Sequence, residues 1–257
     1  MQRQMKYKYG KIINSNITAL TFQETIIELE KWVANKENHY VCVCNTHSIV
    51  TASNDKLFAT VLNNAGICTP DGTPVVWALR SYGFTEQDRV DGPNMMLKLC
   101  ELSAQKKYKI FFYGGTAETL EQLNRKVTQM FEGIEIAGSY SPPFRNLTAY
   151  EETEIADMIN TSNADFIFVS LGCPKQEIWM YNNREKIRGI MIGVGAAFEY
   201  ITGNIKRPPL FFQKAGLEWV FRLISEPKRL WKRYAYNNPV YVYRFFKTYR
   251  KNKKISC

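Results

Sequence analysis

The chain has 257 residues, 45% of them hydrophobic, and a formal net charge of +10. That length holds one full α/β core with an appendage, and the hydrophobic content excludes wholesale disorder. No apolar run approaches eighteen residues, which excludes a membrane-spanning helix, and the start, MQRQMKYKYGK, lacks the apolar stretch of a secretory signal.

In chain order, Lys8–Ile13 and Ile17–Leu20 predict a small hairpin, followed by a helical pattern over Thr21–Asn35. Short β-branched and aromatic runs then alternate with helices. The predicted strands are Tyr40–Cys44, Gly66–Thr69, Lys109–Tyr113, Ile134–Gly138, Asp165–Leu171 and Ile190–Val194. The helices between them are His47–Asn63, Thr73–Tyr82, Gly92–Lys106, Ala117–Phe131, Thr148–Thr161 and Lys175–Ile187. Nearly continuous apolar strands separated by amphipathic helices predict an α/β fold with a doubly wound, mainly parallel, Rossmann-like sheet.

The pattern changes after Gly203, and a boundary is placed there: 1–203 as the catalytic domain, 204–257 as a basic helical C-terminal appendage. Lys206-Arg207-Pro208-Pro209 breaks any helix. Beyond it, Phe211–Ile224 and Lys228–Tyr236 read as helical, Pro227 dividing them, and Pro239 predicts a further interruption before Tyr241–Arg250. From Asn204 onward there are fourteen Lys and Arg against two acids, Glu218 and Glu226, with twelve aromatics; the preceding 203 residues are close to neutral. A near-neutral body with a basic, aromatic tail predicts a catalytic domain held against an anionic surface, membrane or nucleic acid. Leu217, Val220 and Leu223 are expected to pack on the core. The six cysteines, Cys42, Cys44, Cys68, Cys100, Cys173 and Cys257, are scattered, as expected of reduced thiols in the cytoplasm; Cys42 and Cys44 share a strand face and are read as buried rather than metal-bound.

Ligands of an open parallel sheet bind at the carboxyl ends of its strands. Five such ends carry small or polar residues here: Asn45-Thr46-His47, Pro70-Asp71-Gly72, Gly114-Gly115, Gly172-Cys173-Pro174-Lys175-Gln176-Glu177 and Gly193-Val194-Gly195. Asp71 is the candidate general base, in a turn whose chemistry alone also favours Asp. Thr46 and His47, one strand away, are candidates to orient substrate, although His47 also reads as a helix-start residue. Gly114 and Gly115 read either as a phosphate cradle at a helix start or as a tight turn. Dinucleotide and P-loop glycine fingerprints are both absent. No His, Cys or acid cluster has metal-ligand spacing, so no metal or other cofactor is expected, and a leaving diphosphate would need Arg, Lys or helix N-termini.

Together these motifs, with Asp88-Arg89-Val90-Asp91-Gly92-Pro93-Asn94, Gly193–Phe198, Glu218-Trp219-Val220-Phe221-Arg222-Leu223 and Glu226-Pro227, resemble the WecG/TagA/CpsF glycosyltransferases from about Lys8 to Tyr234. The resemblance implies an inverting, metal-independent hexosyltransferase. Its donor is a UDP-sugar, foremost UDP-N-acetylmannosamine, with glucose, galactose or a uronic acid as alternatives. Its acceptor is a lipid-diphosphate-linked sugar, foremost undecaprenyl-diphosphate-GlcNAc, met on the inner face of the bacterial cell membrane during teichoic acid, capsule or exopolysaccharide synthesis. It implies Asp71 as base, Thr46 and Arg89 as catalytic partners, and substrate contacts from Asn45, His47, Asn94, Gly114, Gly115, Gly172, Lys175, Gln176, Glu177, Glu199, Arg222, Arg229 and Arg233. It is compatible with a homo-oligomer and gives no role to nucleic acid. Asn94 and Glu199 depart from the family, which often has Asp at both. A nucleic-acid-binding protein would explain the tail but not the five decorated strand ends, and a non-catalytic scaffold would not need an intact Pro-Asp-Gly. The body is poor in cations at the proposed rim, so the tail is expected to complete the site, and its deletion to abolish transfer while leaving a folded body.

Overall fold

The computed structural model describes residues 7–214 and 216–255. Most of the MQRQMKYKYGK start (residues 1–6) and Cys257 lie outside the described residues. A hairpin of β1 (Tyr9–Ile12) and β2 (Ser15–Thr18) leads into α1 (Phe22–Ala34), whose N-terminus is closed by a Thr21–Glu24 capping box. Then follow β3 (His39–Cys44), α2 (Thr46–Asn54), α3 (Lys56–Asn63), β4 (Ile67–Pro70), α4 (Thr73–Ser81), α5 (Gly92–Lys106) and β5 (Lys109–Gly114). The body continues with α6 (Ala117–Met130), β6 (Glu135–Tyr140), α7 (Ala149–Ser162), β7 (Phe166–Ser170), α8 (Lys175–Asn183), β8 (Ile190–Gly193) and α9 (Ala197–Thr202). The appendage supplies α10 (Leu210–Lys214), α11 (Glu218–Ser225) and α12 (Pro227–Lys253).

Strands β3 to β8 form one parallel sheet in the order β4-β3-β8-β7-β5-β6. The near-continuous apolar strands are buried because helices cover both faces. Alternate residues feed two cores. Tyr40, Cys42, Phe111, Tyr113, Ile167 and Met191 face α2, α3, α4, α7 and α8; Val41, Ile110, Phe112, Phe168 and Ile192 face α1, α5, α6 and α9. Each such fully buried side chain contributes about 1.5–3 kcal/mol. Thr18 of β2 covers the β4 edge, its Oγ1 accepting from the Cys68 amide at 3.0 Å. Cys42, Cys44, Cys68 and Cys100 are buried free thiols.

Three local expectations change. The helix expected over His47–Asn63 is two helices, because Asp55 takes an extended conformation and caps α3 through the amides of Leu57 and Phe58. Pro239 does not interrupt α12, which runs 27 residues through it. The lost hydrogen bond falls on the carbonyl of exposed Ala235, which faces solvent, while buried Asn237 and Tyr241 hold the helix to the body on either side. In α11 no residue is buried, and Leu217 is 41% exposed, so this helix is not packed on the core as expected.

The boundary at Gly203 is likewise not a packing boundary. Tyr241 of α12 belongs to the first core and its hydroxyl donates to the Pro74 carbonyl at 3.1 Å. Asn252 Nδ2 donates to the Ile13 carbonyl at 2.7 Å, joining the end of α12 to the opening hairpin.

Candidate active site

The site lies at the carboxyl ends of β3, β4, β7 and β8. Asn45 follows β3 and caps α2, its Oδ1 accepting from the amides of His47 and Ser48 at 3.0 and 3.3 Å. That cap aims the first turn of α2 toward α12. Thr46 Oγ1 donates to Asn238 Oδ1 at 3.4 Å, and His47 Nδ1 pairs with Asn237 Nδ2 at 3.2 Å. Burial first, and then Arg233, depress His47 to a pKa of about 4, so it is neutral near pH 7.

Asp71 follows β4, and its amide donates to the Cys44 carbonyl at 2.8 Å. Its Oδ1 accepts from Arg89 Nε at 2.9 Å, and Arg89 Nη1 donates to Glu218 Oε2 at 2.5 Å. Burial pushes the Asp71 carboxyl above its ordinary value; Arg89 pulls it back, and Asp91 and Glu218 add to the rise. For Arg89, burial opposes the charge, but Asp71, Asp91 and Glu218 outweigh it and keep the guanidinium protonated.

Two clefts meet at Asp71. The smaller is walled by Thr46, His47 and the appendage residues Trp219, Tyr234, Asn237 and Asn238. The larger, about 420 Å³, is floored by Ser170, Gly172, Gly193 and Gly195 and bordered by Glu199 and Arg229. Asn45, Asp71, Arg89, Glu218, Arg222 and Arg233 line both. Arg229 pairs with Glu226 at 2.7 Å and Arg222 lies 3.9 Å from the same carboxylate. Arg233 makes no ion pair among the described residues, and its Nε is buried without a partner. Four arginines and four carboxylates, Asp71, Glu177, Glu199 and Glu218, line the two clefts, and Arg233, unpaired among the described residues in this partly desolvated space, makes the site suited to an anion. Among the described residues, no group of three or more His, Cys, Asp or Glu is disposed to hold a metal ion.

The remaining predicted residues divide. Gln176 and Glu177 are buried in the first turn of α8: Gln176 Oε1 accepts from the Gly195 amide at 3.2 Å, and its Nε2 donates to Glu177 Oε1 at 2.8 Å. Both line the larger cleft. Glu177 is pushed up to about 7, first by burial and against the Gln176 bond, and its Oε2 has no partner. Glu199 accepts from Thr119 Oγ1 at 3.3 Å and from Asn204 Nδ2 at 2.9 Å.

Gly114, Gly115, Asn94 and Lys175 do not line either cleft. The Gly115 amide is spent on the Ser170 carbonyl at 3.2 Å, and a Cβ on Gly114 would come within 2.3 Å of that same oxygen. Gly114 therefore serves close strand packing, as the turn reading has it. Asn94 bonds Asp91 and accepts from Arg207 Nη2 at 2.7 Å, tying α5 to the linker. Lys175 is exposed at the start of α8. Sequence reasoning missed Glu218, Tyr200, Tyr234, Asn237 and Asn238 as cleft residues. One signal was available: Glu218 is one of only two acids in a tail of fourteen bases.

The sequence matches the Glycosyl transferase WecG/TagA/CpsF family over residues 10–255. It is 33% identical over 236 residues to an N-acetylglucosaminyldiphosphoundecaprenol N-acetyl-beta-D-mannosaminyltransferase of Bacillus spizizenii, covering 88% of this chain and 89% of the relative. A Bacillus subtilis protein of the same name is 32% identical over 94% of this chain and 90% of its own length. One from Staphylococcus aureus is 25% identical over 95% and 94%. With a family match that spans nearly all of the chain, cleft and appendage included, the chain belongs to the WecG/TagA/CpsF family of glycosyltransferases.

Proposed function

We propose that the chain transfers N-acetylmannosamine from UDP to the GlcNAc of an undecaprenyl-diphosphate-linked acceptor, with inversion and without a metal cofactor. The names of the relatives support the sugar and the acceptor. The observation that carries the chemistry is Asp71 at the junction of two clefts, with Arg89, Arg222 and Arg233 facing both. The larger cleft, at the strand ends, takes the donor; the smaller, walled by the appendage, takes the acceptor sugar. Asp71 accepts the proton of an acceptor hydroxyl, whose oxygen bonds to the anomeric carbon. The bond from that carbon to the diphosphate breaks, and its electron pair leaves with UDP. Arg222, Arg229 and Arg233 offset the charge that develops on the diphosphate, the task a metal ion performs in other transferases.

The acceptor is embedded in a bilayer, so the enzyme must meet it there, on the cytoplasmic face where UDP-sugars are found. No helix among the described residues is long and apolar enough to cross a membrane. The outer face of α12 instead mixes Trp231, Tyr236, Tyr243 and Phe246, all more than half exposed, with Lys228, Lys232, Lys247 and Arg250. Each basic residue near an anionic leaflet contributes about 1 kcal/mol, and aromatics settle at the headgroup level.

The test is UDP release from a panel of UDP-sugars with a synthetic lipid-diphosphate-GlcNAc, for wild type and Asp71→Asn. Acceptor-dependent release from UDP-N-acetylmannosamine alone, lost in the variant, is expected. Equal release by the variant removes Asp71 as base, and release from another donor replaces the sugar.

A further inference from the structure

Arg89 stands between two carboxylates that are far apart in sequence. A guanidinium often clamps one carboxylate with two parallel N–H donors. Here the donors are divided: Nε goes to Asp71 Oδ1 at 2.9 Å and Nη1 to Glu218 Oε2 at 2.5 Å. Asp71 and Glu218 are each about one-fifth exposed, so neither contact is a solvent-screened surface pair. Asp71 Oδ2 accepts no hydrogen bond among the described residues.

A general base needs a free lone pair and a basicity suited to the working pH. A two-pronged clamp by Arg89 would occupy a lone pair on each oxygen and lower the basicity of both. We propose that Glu218 is a positioning residue for Asp71: by holding Nη1 of Arg89, it confines that arginine to one oxygen of Asp71 and leaves the other free for the acceptor proton. This rests on the reading of Asp71 as the base. It makes the chemistry depend on α11, which carries Glu218 into the cleft. Gly216, at φ +72, seats that helix against Thr73, where a Cβ would come within 2.5 Å of Oγ1.

The groups that face Asp71 are Arg89, Asp91 at the start of α5, Glu218 of α11, Tyr200 of α9, Tyr234 of α12 and Cys44 of β3. Burial pushes Tyr200 up to about 12 and raises Tyr234, while a hydrogen bond with Cys68 and burial raise Cys44, so these three stay neutral at working pH. Arg89, Asp91 and Glu218 act most strongly on Asp71 as charges, and Arg222 and Arg233 line the same clefts beside it. Asp91 is itself 3.6 Å from Arg207, which leaves Glu218 as the acid bonded to Arg89 from the opposite side. Its negative charge opposes the pull of Arg89 and keeps Asp71 basic.

The experiment is the pH profile of kcat/KM, read as acceptor-dependent UDP release, for wild type, Glu218→Gln, Glu218→Asp and Asp71→Asn. Glu218→Gln should move the acidic limb down by about one pH unit. It should also lower kcat by about tenfold, with donor KM changed by less than about twofold. Glu218→Asp keeps the charge and should keep the wild-type limb, so it remains informative if the glutamine variant does not fold. An unmoved limb in Glu218→Gln, a limb in Glu218→Asp displaced as far as in Glu218→Gln, or a rise in KM alone overturns the proposal. Full activity in Asp71→Asn overturns instead the assignment of the base, and this proposal with it.

Discussion

Tyr249 lies on Tyr82, ring centroids 5.5 Å apart and planes 13° from parallel, and its hydroxyl donates to the Ser81 carbonyl at 2.9 Å. The last helix is thus a structural part of the body, not a detachable tail, and Tyr241, about two turns earlier, is its most buried ring.

Replacing Tyr241 by Ala should therefore lower the free energy of unfolding by about 3 kcal/mol, through lost burial and the cavity left behind. Tyr243→Ala, at a ring 66% exposed, should change it by less than about 0.5 kcal/mol. Urea titration of both variants checks the contrast, and equal losses would place α12 outside the core. Deletion of the whole appendage should accordingly yield a destabilised body rather than an intact one.

Glu177 should give the protein a pH-dependent weakness. Its folded pKa, about 7, lies above the ordinary value of 4.5, so between those values the native state binds more protons than the unfolded state. Stability from this group therefore falls as pH rises from 4.5 to 7 and is constant above, a loss on the order of 3 kcal/mol. His47 acts in the opposite sense between about 4 and 6.5, since its depressed folded pKa costs stability as pH falls. The difference between Glu177→Gln and wild type isolates Glu177. The variant should be the more stable at pH 8, with the gap closing by pH 5 in urea unfolding.

Arg233 carries a half-buried charge with no ion pair among the described residues, and burial lowers its pKa. Arg233→Met keeps the stem and removes the charge. Without ligand its thermal midpoint should equal or exceed wild type, while UDP binding by calorimetry should weaken about 10- to 100-fold, the worth of a charge-assisted hydrogen bond. Unchanged UDP affinity would remove Arg233 from the diphosphate site.

On the outer face of α12, Trp231→Ser with Phe246→Ser should leave urea unfolding within about 0.5 kcal/mol of wild type. Co-sedimentation with anionic vesicles should fall, and what remains should be weakened strongly by high salt, since the basic residues then carry most of the binding. Binding that the double variant does not alter would assign vesicle association to charge alone.

The parallel sheet was legible because apolar continuity is a local signal: Phe166–Ser170 and Ile190–Gly193 can only be strands covered on both faces. Asp71 was legible because a strand end confines it to the ligand rim. The bonding of Arg89 to Glu218 was not, since the two residues are 129 apart and no period links them. Gly114 and Gly115 carried two readings for a related reason: a glycine admits both a ligand and a neighbouring backbone, and the Ser170 carbonyl shows the second at Gly114. Pro239 misled because local helix rules carry no information about the body that α12 rests on.

Because the two clefts share residues from either end of the sequence, the site is the last thing the chain makes. Strands β3 to β8 can assemble while α12 is still in the ribosome, but Tyr82 then has no ring above it and Asp71 no walled cleft beside it. A chain clipped before residue 241 lacks Tyr241 and Tyr249 and leaves that part of the first core uncovered. Closure of the clefts is thereby reserved for molecules whose synthesis has passed α12.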